Sequence, residues 1–110
     1  MAAAVSPGTR ELLREFSDRV HEMYGSRLVQ VILFGSQARG DASPDSAVDV
    51  VLVFRDDVVS GQEITRLGPL LAELNLRFER LISVVPHSLV EYETRNEPFL
   101  RQVRREGVMV

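Results

Sequence analysis

The chain has 110 residues, 45% of them hydrophobic and 26% charged, with a formal net charge of -3 and a pI near 5.4. These values suit one compact domain over residues 1–110, exclude a fibrous or disordered chain, and disfavour a general nucleic-acid binder, which needs a positive excess. With no cysteine there are no disulfides, thiolate nucleophiles or Cys-based zinc sites, and no run approaches the roughly 18 apolar residues that cross a bilayer. The N-terminal Met1-Ala2-Ala3-Ala4-Val5 lacks the basic start and apolar core of a signal peptide, so the expectation is a cytoplasmic protein without membrane attachment.

Along the chain, Ser6-Pro7 reads as an N-cap with proline in the first turn. Leu12, Leu13, Phe16, Val20, Met23 and Tyr24 then follow at helical spacing until Gly25. Leu28 to Phe34, LVQVILF, reads as a mostly buried strand stopped by Gly35-Ser36. Ala42 to Ser46 is a turn cluster, and Val48 to Phe54 is a second apolar strand interrupted by one acid, Asp49. Ser60 and Glu63 form a capping-box pattern ahead of a helix carrying Ile64, Leu67, Leu70, Leu71 and Leu74, which Gly68-Pro69 should kink or delay. Leu81 to Val85 reads as a third strand ended by Pro86, and Asn96 as the cap of a short helix bearing Phe99, Leu100 and Val103, with Gly107 beyond it. Helices alternating with strands predict an α/β (α+β) fold, a small mixed sheet of three or more strands flanked by helices.

The chemistry concentrates in two places. A strand running into Gly35-Ser36 and then a helix offers free backbone N–H groups and a hydroxyl at a helix start, where phosphate is favoured. Arg39, one turn on, is able to pair with the same anion. Positions 47 and 49 are two apart at a strand, so their side chains share a face, and two carboxylates there would form a site for magnesium bound to substrate phosphates. Position 47 is alanine, leaving Asp49, and an acid inside so apolar a run is unfavourable to bury unpaired. His21 and His87 stand apart and read as packed or solvated, Tyr24 and Tyr92 as packing aromatics, and Arg101, Arg104 and Arg105 as a solvated helix face.

The stretch Leu33-Phe34-Gly35-Ser36-Gln37-Ala38-Arg39-Gly40, then ten residues from Gln37 to Ser46 separating Ser36 from position 47, and Asp49 opening a strand, resembles the minimal nucleotidyltransferase (MNT) signature of the DNA polymerase beta superfamily. The resemblance extends over residues 8 to 86 and the tail from Pro98 to Val110, and implies a nucleotidyltransferase fold. It further implies ATP as substrate, with Gly35, Ser36 and Arg39 holding the nucleotide, and Mg2+ held by Asp49 and the residue at position 47, where the pattern expects aspartate. Many relatives add a third carboxylate from the third strand, where this chain has Ser83; Glu79 is a poor substitute four residues earlier. Ala47 thus implies impaired transfer, whether the alanine is engineered or natural. Small proteins of this kind commonly sit beside a helical HEPT protein, and in characterised pairs the MNT member is an antitoxin that adenylylates the HEPT toxin. The resemblance therefore implies a protein adenylyltransferase with a HEPT-family toxin as partner or, with Ala47, a binder that neutralises by complex formation alone.

Overall fold

In a computed structural model, described over residues 6–40 and 46–110, helix α1 (Pro7–Tyr24) leads through a 3-10 turn (Gly25–Arg27) into strand β1 (Leu28–Phe34) and the single-turn helix α2 (Ser36–Arg39). Strand β2 (Val48–Phe54), helix α3 (Ser60–Phe78), strand β3 (Ile82–Ser88), helices α4 (Leu89–Thr94) and α5 (Pro98–Glu106) and the short strand β4 (Val108–Met109) complete it. The expected turn cluster lies, up to Asp45, outside the described residues. α1 starts as its sequence predicts: the Ser6 hydroxyl accepts the Thr9 N–H and Pro7 occupies the first turn. No described helix is long and apolar enough to cross a membrane.

The four strands form one mixed sheet in the order β3-β2-β1-β4, with β1 antiparallel to β2 and β4, and β2 parallel to β3. A parallel pair needs a long crossover, which α3 supplies. Alternation along β2 then divides the molecule. Val48, Val50, Leu52 and Phe54 face the main core with Leu12, Leu13, Phe16 and Val20 of α1 and Leu67, Leu70 and Leu74 of α3. Each such leucine, wholly or almost wholly buried, contributes roughly 1.5–3 kcal/mol. Val51 and Val53 face the opposite side with Ile32, Val103 of α5, and Leu89 and Tyr92 of α4. Asp49 has the parity of this second face, at its open end.

Several local expectations are corrected. Ser60 and Glu63 make no capping box: Val59 is the N-cap without a side-chain bond, and Glu63 is drawn inward toward Arg27 and Arg66. The pattern is realised instead at Ser88 and Glu91, where both reciprocal bonds form and start α4, a helix the sequence reading lacks. α3 runs unbroken through Gly68-Pro69, and the C-terminal helix is capped at Glu97 rather than Asn96.

The third strand does not end at Pro86, and the reason is edge geometry. Val48 donates its N–H to the Leu81 carbonyl at 2.8 Å, so the odd-numbered residues of β3 turn their backbone groups to β2 and the even-numbered ones to the free edge. There Pro86 loses no ladder bond. The Ile82 N–H goes to Asn75 Oδ1 and the Ser88 N–H to Glu91 Oε1, each at 3.0 Å. At three of the four edge positions, 82, 86 and 88, no donor is therefore left open, which blunts pairing with another chain.

Candidate functional site

The candidate site is built where β1 ends. Gly35 turns the chain with φ 76° and ψ -154°, a region open to glycine, and α2 begins at once with Ser36. A Cβ at Gly35 would lie 2.7 Å from Asp49 Oδ2. Glycine is therefore required twice, for its backbone angle and for the close approach of the carboxylate. The Gly35 and Ser36 carbonyls accept the Arg39 and Gly40 N–H groups at 3.1 and 3.0 Å, closing the turn that carries Arg39.

Strand register brings the remaining positions together. Asp49 is paired with Phe34 on one side and with Ser83 on the other, so the third-strand position expected from the sequence stands beside the aspartate. Ala47 lies one residue before β2 rather than within it. Its neighbour Ser46 is held by Arg80, whose Nη2 donates to the Ser46 carbonyl at 3.2 Å while Nη1 donates to Thr9 Oγ1 at 3.0 Å. Glu79 does not share a strand with Ser83: it is the exposed C-cap of α3 with φ 52°, turned out of the sheet.

Burial pushes the Asp49 carboxyl above the ordinary aspartate range, and the positive charge of Arg39 opposes that shift. On the β1 side, α5 forms a wall. A cavity of about 220 Å³ separates it from the turn, lined by Phe34, Gly35, Arg39, Phe99, Gln102, Val103 and Glu106. Phe34 and Phe99 meet edge to face at 5.2 Å, and Glu106 Oε2 lies 3.9 Å from Arg39 Nη1.

Residues 13–105 of the chain match a family model described as "Nucleotidyltransferase domain". The chain belongs to this family. A Methanocaldococcus jannaschii nucleotidyltransferase relative named "Putative protein adenylyltransferase" is 29% identical over 100 residues, covering 91% of this chain and 96% of its own. Among solved structures, "a putative nucleotidyltransferase from Sulfolobus solfataricus" superposes with a TM-score of 0.61 at 20% identity, over 99% of this chain and 86% of that one. A structure described as "the toxin-antitoxin with AMP-PNP" gives 0.60 at 18%, over 86% and 69%. At these identities the structural likeness is one of fold.

The nucleotidyltransferase fold implies a divalent metal, and the donor set here bears on it. Among the described residues no three His, Cys, Asp or Glu side chains gather to hold an ion. Asp49 is one carboxylate, Ala47 offers no ligand and Ser83 only a neutral hydroxyl. This does not fit a resident two-metal centre. His87 is half-buried within β3, its Nδ1 3.6 Å from Glu91 Oε1, and His21 bonds the Ser17 carbonyl, so both serve packing and local contacts. Tyr24 packs edge to face on Phe54 at 4.8 Å. Arg101, Arg104 and Arg105 lie on the exposed side of α5. Sequence reasoning missed Arg80 and Glu106: neither belongs to a motif, and both act through contacts made by distant segments.

Proposed function

We propose that residues 1–110 form one minimal nucleotidyltransferase domain that binds ATP at the Gly35-Ser36 turn and belongs functionally with protein adenylyltransferases acting as antitoxins to HEPT-type toxins. The observation that carries this reading is the Asp49 carboxylate set against the Gly35 turn, within reach of the charge of Arg39 and in register with Ser83. The relative's name supports adenylyl transfer, and the toxin-antitoxin structure with AMP-PNP supports both a nucleotide and a protein partner.

In this reading Ser36, the turn amides and Arg39 hold the triphosphate, and Asp49 faces its reacting end. Rate enhancement comes from positioning and charge stabilisation during in-line attack by an acceptor hydroxyl. Magnesium, if bound with the nucleotide, would supply charge neutralisation; Asp49 would be its carboxylate ligand here, and position 47 is where the family pattern has a second. Ala47 removes that ligand, so the chain as it stands binds the nucleotide weakly and transfers none of it, while its docking surface is intact.

Co-purification with a HEPT protein, followed by mass spectrometry of the partner, tests the reading. An unmodified partner bound to this chain, and an AMP adduct on the partner of the Ala47→Asp variant, are expected. Binding in both forms with an adduct in neither would leave neutralisation by complex formation as the function, and absence of binding in both would remove the HEPT partner.

A further inference from the structure

The wall of the site opposite Arg39 carries an anion, an unusual neighbour for a phosphate-binding cation. Glu106 stands on the last turn of α5, 3.9 Å from Arg39 across the 220 Å³ cavity, and Gln102 Nε2 donates to its Oε2 at 3.1 Å. The helix end beneath it is fixed. A Cβ at Gly107 would meet the Val103 carbonyl at 2.5 Å and Ile32 Cγ2 at 2.6 Å, and β4 continues directly into its pairing with β1. Glu106 is therefore carried on a backbone clamped against the sheet.

Among the described residues, the cavity is lined by one cation, Arg39, and one anion, Glu106, beside two aromatic rings. A pocket tuned simply for a polyphosphate would hold an excess of positive charge. Here a described anion faces the cation, and the repulsion it exerts on a ligand depends on how negative that ligand is.

We propose that Glu106 is a specificity-determining residue of the nucleotide site, a fixed anion facing Arg39 that limits the negative charge the site accepts and so selects a metal-complexed nucleoside triphosphate over the free one. This rests on the reading of the Gly35-Ser36 turn as the nucleotide site. Repulsion between Glu106 and a phosphate tail held by Arg39 scales with the charge of the tail, and a divalent cation removes about half the charge of a free triphosphate. Free triphosphate is rejected most, the magnesium complex less, and a monophosphate, whose single phosphate does not extend along the tail, least.

Calorimetric titration of ATP with and without Mg2+, and of AMP, into the parent protein and Glu106→Gln tests this. The substitution preserves shape and the ability to accept from Gln102, and thermal unfolding of both forms checks that the fold is kept. The expected result is that Glu106→Gln tightens free ATP roughly tenfold, MgATP roughly threefold and AMP hardly at all, with the gains shrinking as salt is raised. Unchanged affinities, an equal gain for AMP, or weaker MgATP binding, as a metal-ligating Glu106 would give, overturns the proposal alone. Absence of ATP binding in both forms overturns the nucleotide-site reading together with it.

Discussion

Two carboxylates among the described residues, Glu63 and Asp49, stand at different places in this fold and are treated in opposite ways. Glu63 is 4% exposed and lies between Arg27 at 3.7 Å and Arg66 at 4.0 Å, with both guanidinium groups also over the Tyr24 ring. Burial first, and the neighbouring Glu63 carboxylate after it, push the Tyr24 hydroxyl up to about 12, although that hydroxyl has no partner at hydrogen-bonding geometry among the described residues. Asp49 sits against the Gly35 turn, where burial raises its pKa and the charge of Arg39 opposes the shift. A carboxylate enclosed by cations serves the fold. One held at a turn, where burial outweighs the nearby positive charge, costs stability and is poised for a ligand that brings its own positive charge.

The largest effect is expected at position 47. On the proposed function, Ala47→Asp should raise the rate of adenylyl transfer to a HEPT acceptor by at least about a thousandfold, measured with α-labelled ATP and Mg2+, because it adds the carboxylate that the family pattern has there. If the variant stays inactive with its correct partner, Ser83 marks a second loss and the protein is a binder. Next is Gly35→Ala. The positive φ and the 2.7 Å approach to Asp49 Oδ2 predict a loss of about 1–3 kcal/mol in denaturant unfolding and loss of nucleotide binding, since the carboxylate must move. An unfolding midpoint equal to that of the parent would contradict the close approach.

Glu63→Gln sharpens the contrast from the other side. It should cost about 1–2 kcal/mol in urea unfolding, because Arg27 and Arg66 lose their shared anion, and leave nucleotide affinity untouched. The smallest effect has the opposite sign. The folded protein retains a proton on Asp49 that the unfolded chain releases, so the stability contributed by this group falls as pH rises from the ordinary value of 3.8 through its raised value, and is constant above. Asn cannot ionise, so Asp49→Asn should raise Tm by a few degrees at neutral pH, with the gain fading once the medium is acidic enough to protonate the aspartate. A lower Tm at neutral pH would show Asp49 to be a structural acid like Glu63.

The difference between the two carboxylates was only half legible in the sequence. Asp49 stood out because an acid interrupts the run Val48 to Phe54 and because Gly35-Ser36 precedes it at a set spacing; local pattern and site coincide there. The same local logic predicts Glu63 to be a capping residue, and tertiary contact with Arg27, which lies in the turn after α1, overrides it. The true capping box at Ser88-Glu91 has the same spacing, but it follows a proline-containing strand whose local pattern predicts an end at Pro86. β4 was invisible because a two-residue strand has no period; it exists through pairing with Ile32 and Leu33. Register, which sets Ser83 beside Asp49 and removes Glu79, depends on strand order, and that order is a property of the whole sheet.

The most direct test of which carboxylate marks the site uses the protein as it is. Titrating millimolar MgATP into uniformly 15N-labelled protein should move the amide resonances of Gly35, Ser36, Arg39, Asp49 and Ser83, while those of Tyr24, Arg27 and Glu63 stay in place. Shifts centred on the Glu63 cluster, or none anywhere at saturating nucleotide, would contradict the account.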